Sequence, residues 1–380
     1  MIRLLSVQPV AERGGSDQLL VRLVRSLPSE EFDCHVVLPA PSPLADAFSA
    51  AGATLHTIPM RRISTSYGGG RWGAYVAAWP VAVGRIARLI RRLGVDVVHT
   101  NSLHSLYGWA AAAITRKPHV WHAREIVVQS DAALKLERFL AGHFADKVIC
   151  MSQAIADQLD PGNVEVVYET VDPLEFRPDL AGRFRAPAAI PDDAPLVGAV
   201  GRLDTWKGFD VLLDAFETAK GRRPDLHLVV AGGEVRGKEQ FAVGLAARAE
   251  RMVDVHWLGP RADVAELLAD LDVFVLPSTE PEPYGIVVVE ALASGTPVVV
   301  SDAGGVREII DRAAPGSGTH VPPRDPGALA DALVEVTPRA TSATGRSQRS
   351  SMQPAPSTGR VAEIFRQAAS GVSQHRASPG

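Results

Sequence analysis

Cysteine is scarce in this 380-residue chain, and its scarcity excludes two classes of protein. Cys34 and Cys150 are too few for a disulfide framework, and they do not have the spacing of metal ligands. Both stand in apolar runs, so we expect buried and unreactive thiols. The sequence also lacks an apolar run long enough to span a bilayer, and it does not open with the apolar core of a signal peptide. These absences favour a cytoplasmic protein.

A strong charge of one sign is lacking as well. The formal net charge is −4, with 17 basic against 14 acidic residues in residues 1–167 and 22 against 29 in the remainder. Neither part is basic enough to indicate a nucleic-acid surface. The weakly positive first part leaves open an anionic substrate or membrane.

What the chain does contain is a repeated alternation of short apolar runs and helical patterns. The apolar runs of the first half are IRLLSV, CHVVLP, ATLHTIP, VDVVHT, HVWH and DKVICMS, and those of the second half are LVGAVG, LHLVVAG, VHWLG, DVFVLPS and TPVVVS. Continuous apolar strands indicate parallel sheets that are covered on both faces. The predicted fold is therefore α/β, with two Rossmann-like, doubly wound domains facing across a cleft and ligands at the carboxyl ends of the strands.

The predicted domains are residues 1–170 and 196–337, with a looser, Pro- and Asp-containing linker at 171–195. Residues 338–359 contain no acid and no branched aliphatic residue, so we expect them to be disordered. Residues 360–370 follow as a predicted short amphipathic helix with one apolar face.

Two glutamates stand eight positions apart in the stretch STEPEPYGIVVVEALASGTPVV, residues 278–299. Prolines stiffen the loop around Glu282, and Pro283 can begin the following helix, which ends at Gly295. Glu290 then falls on an otherwise apolar helix, where a carboxylate is costly unless it meets a polar partner. Vicinal sugar hydroxyls are such partners. A buried arginine or solvent would be the alternatives for Glu290.

Two other turns have the composition of a phosphate site. Arg202 and Lys207 flank the turn GRLDTWKG after an apolar strand, and two cations beside a helix N-terminus suit a diphosphate. Gly14 and Gly15 follow the first strand and allow a ligand to approach the backbone closely. Solvated surface cations and an ordinary strand-to-helix turn remain the alternatives.

Taken together, these stretches resemble the retaining glycosyltransferases of family four, which have the GT-B fold. The E-x7-E pair matches Glu282 and Glu290, and the GR…K motif matches Arg202 and Lys207. The resemblance implies transfer of a sugar from a UDP- or GDP-linked donor to an acceptor hydroxyl, with retention and without a metal or other cofactor. The donor-binding residues that it implies are Gly14, Gly15, Arg202, Lys207, Arg261, Tyr284, Gly285, Ile286, Glu290 and Thr296.

By the same resemblance, His122 and Glu282 are the expected catalytic residues. The acceptor, a small molecule, lipid-linked unit or glycan, would contact the first domain. The candidate contacts there are Arg61, Arg62, Tyr67, Asn101, Tyr107 and Arg124. The chain departs from the family in its C-terminal segment, because the low-complexity run replaces much of the helix that usually returns to the first domain.

Two other functions stay open, and a third is disfavoured. A catalytically silent partner that only binds a nucleotide-sugar and a nucleotide-sugar epimerase both fit the fold. A nicotinamide dehydrogenase is disfavoured, because no G-x-G-x-x-G follows the first strand. Peripheral membrane contact is not favoured: Arg85, Arg88 and Arg92 form one helical face, which is more often simply solvated. The D-x-D of Asp270 and Asp272 opens a buried strand, so it is predicted to be structural rather than a metal site.

Overall fold

In the computed structural model the chain forms two compact units, Met1–Tyr168 with Ser357–Gly380, and Glu169–Pro356. The structure describes residues 1–11, 15–61, 69–128, 130–159, 162–337, 346–347, 349–353 and 359–371, without the side chains of 69–72. The predicted linker, residues 171–195, is part of the second unit. Among the described residues, no helix combines the length and the apolar character that a bilayer span requires.

The first unit is a seven-stranded parallel sheet covered by helices. Its strands are β1 (Ile2–Val7), β2 (Phe32–Leu38), β3 (Thr54–Thr57), β4 (Val97–Thr100), β5 (His119–Ala123), β6 (Lys147–Cys150) and β7 (Val164–Val166), in the order β3-β2-β1-β4-β5-β6-β7. Its helices are α1 (Gly15–Ser26), α2 (Ala45–Ala50), α3 (Gly69–Leu93), α4 (Tyr107–Thr115), α5 (Asp131–Phe144) and α6 (Gln153–Leu159). The strand order reverses between β1 and β4.

The second unit repeats this plan with six parallel strands. They are β8 (Leu196–Val200), β9 (His227–Ala231), β10 (Val255–Gly259), β11 (Val273–Leu276), β12 (Val298–Ser301) and β13 (Gly318–Val321), in the order β10-β9-β8-β11-β12-β13. The helices are α7 (Phe209–Arg222), α8 (Glu239–Ala249), α9 (Val264–Asp270), α10 (Ile286–Ala293), α11 (Val306–Arg312) and α12 (Pro326–Val336). Here the order reverses between β8 and β11. The predicted pair of doubly wound parallel sheets is confirmed.

The two cysteines are buried, as their sequence context predicts. Cys34 lies on β2 and Cys150 on β6, and both are free thiols. Burial, with a smaller effect of Asp33, raises the pKa of Cys34 to about 11, and burial raises the pKa of Cys150 to about 12. Both therefore remain thiols rather than reactive thiolates at neutral pH.

The D-x-D pair is structural, as predicted, and it holds the supposed linker in place. Asp270 and Asp272 are fully buried. Asp270 accepts hydrogen bonds from the backbone N–H groups of Gly182 and Phe184, and Asp272 pairs with Arg185 over 2.9 Å. Because these carboxylates bind residues 182–185, that stretch packs on the second unit instead of forming a loose connection.

The described part of the low-complexity segment differs from the expected disorder. The guanidinium of Arg346 is buried and donates to Asp270 over 3.2 Å, and Arg349 donates to Asp272 over 3.0 Å. Composition predicts whether a segment can form its own apolar core, but these arginines are held by carboxylates that belong to another part of the unit. Residues 338–345, 348 and 354–358 lie outside the described residues.

The C-terminal helix belongs to the first unit. Residues Arg360–Ala369 form α13, where the sequence predicts a helix. Phe365 packs against Phe32 of β2 with ring centroids 6.4 Å apart, and Ile364 and Ala368 are buried in the same core. Arg366 pairs with Glu31 over 2.7 Å at the edge of this contact.

We predict that Asp272→Asn lowers the free energy of unfolding of the second unit by about 3–5 kcal/mol, because it leaves two arginines without their buried partner. Asp331→Asn is the matched control, since its ion pair with Arg222 is exposed and should contribute about 0–1 kcal/mol. Urea denaturation followed by circular dichroism measures both. Equal losses for the two variants would contradict the structural role of Asp272.

Candidate active site

The reversal of strand order in the second unit brings two loops together. Residues 201–208 follow β8, and residues 277–285 follow β11, which is the neighbour of β8 in the sheet. In open parallel sheets the crevice at such a reversal is where ligands bind. The predicted cations Arg202 and Lys207 lie on the first of these loops, and Glu282 lies on the second.

Lys207 and Glu282 form an ion pair at this point. Nζ of Lys207 donates to Oε2 of Glu282 over 2.7 Å, and the hydroxyl of Ser278 donates to the same oxygen over 2.9 Å. The two charged side chains are 14% and 9% exposed. Within the described part of the chain, Oε1 of Glu282 accepts no hydrogen bond. One oxygen thus fixes the carboxylate, and the other is available to a ligand hydroxyl.

The backbone of Glu282 is clamped by the loop after β12. Its N–H donates to the carbonyl of Ala303 over 3.0 Å, and its carbonyl accepts from the N–H of Gly305 over 2.8 Å. Gly304 has φ +81°, and a Cβ at that position would lie 2.3 Å from the carbonyl oxygen of Glu282. Only glycine allows the two backbones to approach this closely.

The loop that bears Lys207 is pressed against the same segment. Gly208 has φ +70°, and a Cβ there would lie 2.0 Å from the carbonyl oxygen of Pro277. The N–H of Thr279 donates to the carbonyl of Trp206 over 2.8 Å. These contacts join the two loops through their backbones, so the ion pair between Lys207 and Glu282 forms on a fixed base.

Arg202 lies in the same loop as Lys207, but it is exposed, and its side chain makes no hydrogen bond or ion pair with any described residue. The neighbouring Asp204 is buried and pairs with Lys238. Burial acts to raise the pKa of Asp204, but the hydrogen bond and charge of Lys238, with the charge of Arg202, outweigh it and lower that pKa. Arg202 is therefore the cation of this loop that remains available to an anion.

Helix α10 begins later than the sequence indicates. Pro283 is expected at the first helical position, but the helix starts at Ile286, after Gly285 with φ +93°. The clamp on Glu282 and the hydrogen bond from the Tyr284 hydroxyl to the carbonyl of Glu169, 2.8 Å long, hold the preceding residues outside the helix. The helix ends at Ala293 and is followed by Gly295 with φ +74°, as predicted.

Glu290 is the fifth residue of α10, little more than one turn from its N-terminus, and it is 8% exposed. It does not face solvent, which removes one of the two alternatives considered for it. Thr296, another predicted donor contact, is fully buried and donates its hydroxyl hydrogen to the carbonyl of Leu268 over 2.6 Å. Arg261 follows β10 and is bound to Asp263 over 2.7 Å.

The first unit also has polar side chains at its strand reversal, just beyond β1 and β4. Nδ2 of Asn101 donates to the side-chain oxygen of Gln8 over 2.8 Å, and Nε of Arg124 donates to Oδ1 of Asn101 over 2.6 Å. Gln8 in turn donates to Asp17 on α1 over 3.1 Å. The predicted residues Asn101 and Arg124 are thus brought together, whereas Gln8 and Asp17 were not foreseen as part of the cluster.

His122 is the last but one residue of β5, beside this cluster, and is buried. Its Nδ1 lies 3.4 Å from a guanidinium nitrogen of Arg124, and its ring lies 5.6 Å from that of His99 on β4. Burial, then the charges of Arg124 and His99, hold the pKa of His122 well below its usual range. His122 is therefore neutral at pH 7 and can accept a hydrogen bond.

Of the other first-unit candidates, Tyr107 holds the backbone at Arg61. Its hydroxyl donates to the carbonyl of Arg61 and accepts from the N–H of Arg61, both over 2.9 Å. Gly15 begins α1, and a Cβ there would meet nothing within 4 Å, so open space adjoins this helix start. Gly14, Arg62 and Tyr67 lie outside the described residues.

Three residues that shape the site were missed by sequence reasoning. Ser278 supports Glu282, Gly304 admits its backbone, and Gly208 seats the loop of Lys207. The stretches SDAGG and WKG predict turns from the sequence. They do not predict which other segment of backbone each turn contacts.

Two family models match this chain, one in each half of the sequence. Residues 13–174 match the family model described as Glycosyltransferase Family 4, and residues 182–338 match the model described as Glycosyl transferases group 1. An uncharacterised glycosyltransferase of Methanocaldococcus jannaschii is 31% identical over 63% of this chain and 66% of its own length. The alpha-maltose-1-phosphate synthase of Mycolicibacterium smegmatis is 30% identical over 63% of this chain and 68% of its own length.

Among solved structures, HepE of Anabaena in complex with UDP and glucose superposes with a TM-score of 0.76 at 24% identity, covering 99% of this chain and 100% of HepE. At that identity the likeness shows the fold alone. The chain spans between about half and two thirds of the length of the first curated relatives that it matches.

We predict that Gly304→Ala costs more stability than an equal substitution at another left-handed glycine. Gly237 is the matched control, because it has φ +84° with nothing within 4 Å of a built Cβ. Gly237→Ala should lose about 1–2 kcal/mol from the backbone conformation alone. Gly304→Ala should lose about 1–3 kcal/mol more, because its Cβ overlaps the carbonyl of Glu282. Equal losses of unfolding free energy for the two variants in urea denaturation would contradict a tight backbone contact between Gly304 and Glu282.

The buried histidines predict acid sensitivity of the first unit. Burial lowers the pKa of His119 to about 3, and His99 and His122 are lowered in the same sense. Below about pH 6.5 the unfolded chain binds protons that the folded unit refuses, so stability falls as pH falls, by up to about 1.4 kcal/mol per pH unit for each histidine. Urea denaturation between pH 7 and pH 5 should show this slope, and His119→Asn should reduce it. An unchanged slope in that variant would contradict the assignment.

Proposed function

Since this chain belongs to the group 1 glycosyltransferases of the GT-B fold, we propose that it transfers a hexosyl or N-acetylhexosaminyl unit from a UDP- or GDP-linked sugar to an acceptor hydroxyl, with retention of configuration. The observation that carries this proposal is the ion pair between Lys207 and Glu282 at the strand reversal of the second unit. A structural ion pair would not need a second oxygen of Glu282 left without a hydrogen bond, nor an available arginine in the same loop.

The donor diphosphate would lie against Lys207, Arg202 and the N-terminus of α10. Lys207 is held in one position by Glu282, whereas Arg202 has no competing ion pair among the described residues. The first N–H groups of a helix have no partner within the helix, and its dipole adds positive potential at the same place. Together these groups would stabilise the negative charge that develops on the departing diphosphate.

The donor sugar and ribose would be held by the two glutamates. Oε1 of Glu282 can accept a hydroxyl of the sugar while Oε2 stays on Lys207 and Ser278. Glu290, one turn into α10, would bind the ribose hydroxyls. The complex of HepE with UDP and glucose supports testing UDP-glucose first among the donors.

The acceptor is proposed to bind at the polar cluster of the first unit. Asn101 and Arg124 are fixed by hydrogen bonds at its strand reversal, and the neutral His122 lies beside them. The chemical nature of the acceptor stays a prediction, as does transfer without a metal. If the latter is correct, a chelator will leave the rate unchanged.

We predict that Lys207→Ala and Glu282→Ala each reduce transfer, or hydrolysis of the donor when no acceptor is supplied, by about 10²–10³-fold, because each removes a group that acts on the developing charge or its support. Lys238→Ala is the control, since Lys238 is an equally charged residue that pairs with Asp204 rather than with Glu282. Release of UDP from UDP-sugars is the measurement, and circular dichroism checks that the fold persists.

The same assay separates the proposal from its alternatives. A silent partner would give a thermal shift with a nucleotide-sugar but no release of UDP from the wild-type chain. An epimerase would produce an altered nucleotide-sugar without release of UDP. If Glu282→Ala turned over at the wild-type rate, the proposed role of the ion pair in transfer would be wrong.

A further inference from the structure

Arg324 has a backbone conformation that arginine seldom adopts. It lies in the turn between β13 and α12, with φ +60°. Of the residues with positive φ in the described chain, all but four are glycine. Glycine makes such a turn without steric cost, whereas an arginine there is held in a less favourable conformation. A strained residue of this kind points to a use for its side chain.

The side chain of Arg324 contacts the loop that bears Glu282. Its Nε donates to the carbonyl of Thr279 over 3.2 Å. Within the described chain this is the one hydrogen bond that the guanidinium makes, and it makes no ion pair there. Thr279 follows β11 and Arg324 follows β13, with β12 between these strands. Neighbouring strands are about 4.8 Å apart, so a side chain that joins loops two strands apart has to be long.

Thr279 in turn fixes the residue beside Lys207. Its N–H and its hydroxyl both donate to the carbonyl of Trp206, over 2.8 Å and 3.2 Å. Nζ of Lys207 lies 4.2 Å from the centroid of the Trp206 ring, a cation–π contact that adds to its bond with Glu282. Thr279 therefore connects Arg324 to both members of the ion pair, because it lies in the loop of one and bonds the neighbour of the other.

We propose that Arg324 is a positioning residue of the candidate active site, which holds the loop of Glu282 and, through Trp206, the ammonium group of Lys207 in place for the donor. This inference rests on the proposed sugar transfer, because it is in that reaction that the ion pair has its role. Arg324 acts through the hydrogen bond of its Nε, not through its charge. A displacement of about 1 Å in groups that act on the transition state is enough to slow a reaction strongly.

Two substitutions separate the hydrogen bond from the charge. In Arg324→Gln, Nε2 lies as many bonds from the backbone as Nε of arginine, so it can donate to the carbonyl of Thr279 without carrying a charge. Arg324→Met has a similar length and no donor. Neither variant places a glycine in the left-handed turn, so the backbone strain is alike in both.

The first measurement is the release of UDP from UDP-glucose. We expect kcat to fall about tenfold in Arg324→Met and to stay within about twofold of the wild-type value in Arg324→Gln. KM for the donor should change little in either variant, because Arg324 does not itself bind the donor.

Arg116→Met is the matched control. Arg116 is also a left-handed arginine, with φ +55°, but it caps the C-terminus of α4 in the first unit. Its side chain makes no hydrogen bond with a described residue. UDP release by this variant should equal that of the wild-type chain, because loss of a guanidinium from a left-handed turn is not by itself harmful.

Hydrogen exchange, measured by mass spectrometry, tests the positioning without any activity. The amide of Thr279 is bonded to Trp206, so a looser loop should exchange faster in the peptide that covers residues 277–285. We expect exchange about fivefold faster in Arg324→Met, the factor that one hydrogen bond contributes, and no change in Arg324→Gln or Arg116→Met. If the wild-type chain releases no UDP, the proposed function fails, but this measurement still decides the role of Arg324.

Three results would overturn the proposal. One is unchanged exchange of residues 277–285 in Arg324→Met. Another is UDP release by Arg324→Met at the wild-type rate. The third is an equal fall in UDP release in Arg324→Gln and Arg324→Met, because Arg324 would then act by its charge, as a direct contact of the diphosphate.

Discussion

The candidate site of the second unit depends on the backbone packing that brings Lys207 and Glu282 into contact. The two residues belong to loops that follow β8 and β11, and these strands are neighbours only because the strand order reverses between them. The ion pair alone would be a weak restraint, since partly exposed pairs contribute little free energy. Its position is fixed instead by backbone contacts at Gly208 and Gly304, where no side chain could fit. Charge at this site is therefore positioned by the packing of the main chain.

A second group of charges acts on stability rather than on a ligand. Asp270 and Asp272 bind Arg185, Arg346 and Arg349 in the interior of the second unit. Buried ion pairs often add little net stability over apolar residues of the same shape, yet removing one partner is costly. The cluster therefore commits distant parts of the chain to one arrangement. Residues 182–185 of the predicted linker, and Arg346 and Arg349 of the segment predicted to be disordered, are thereby held in the folded unit.

The sequence predicted most of the sheet strands and failed for identifiable reasons. The central strands are continuous apolar runs, which buried parallel strands require. The strands that were missed, β7 (VEV) and β13 (GTHV), are short edge strands with polar residues, and such segments resemble loops. Among site residues, Glu282 and Lys207 were foreseen together by resemblance. Ser278 and Gly304 were not, because their importance arises from a backbone that approaches from elsewhere in the chain.

Both units place polar side chains where the strand order reverses, but the two sets of side chains differ in how far their hydrogen bonds are satisfied within the protein. At the reversal in the first unit, Gln8, Asn101 and Arg124 bond to one another and are buried. At the reversal in the second unit, Arg202 stays exposed and one oxygen of Glu282 stays without a hydrogen bond in the described chain. A charged diphosphate needs groups that can exchange water for phosphate, whereas a neutral hydroxyl is oriented best by a rigid polar network. This difference in hydrogen bonding supports the proposed division into donor and acceptor units, which the family resemblance implies.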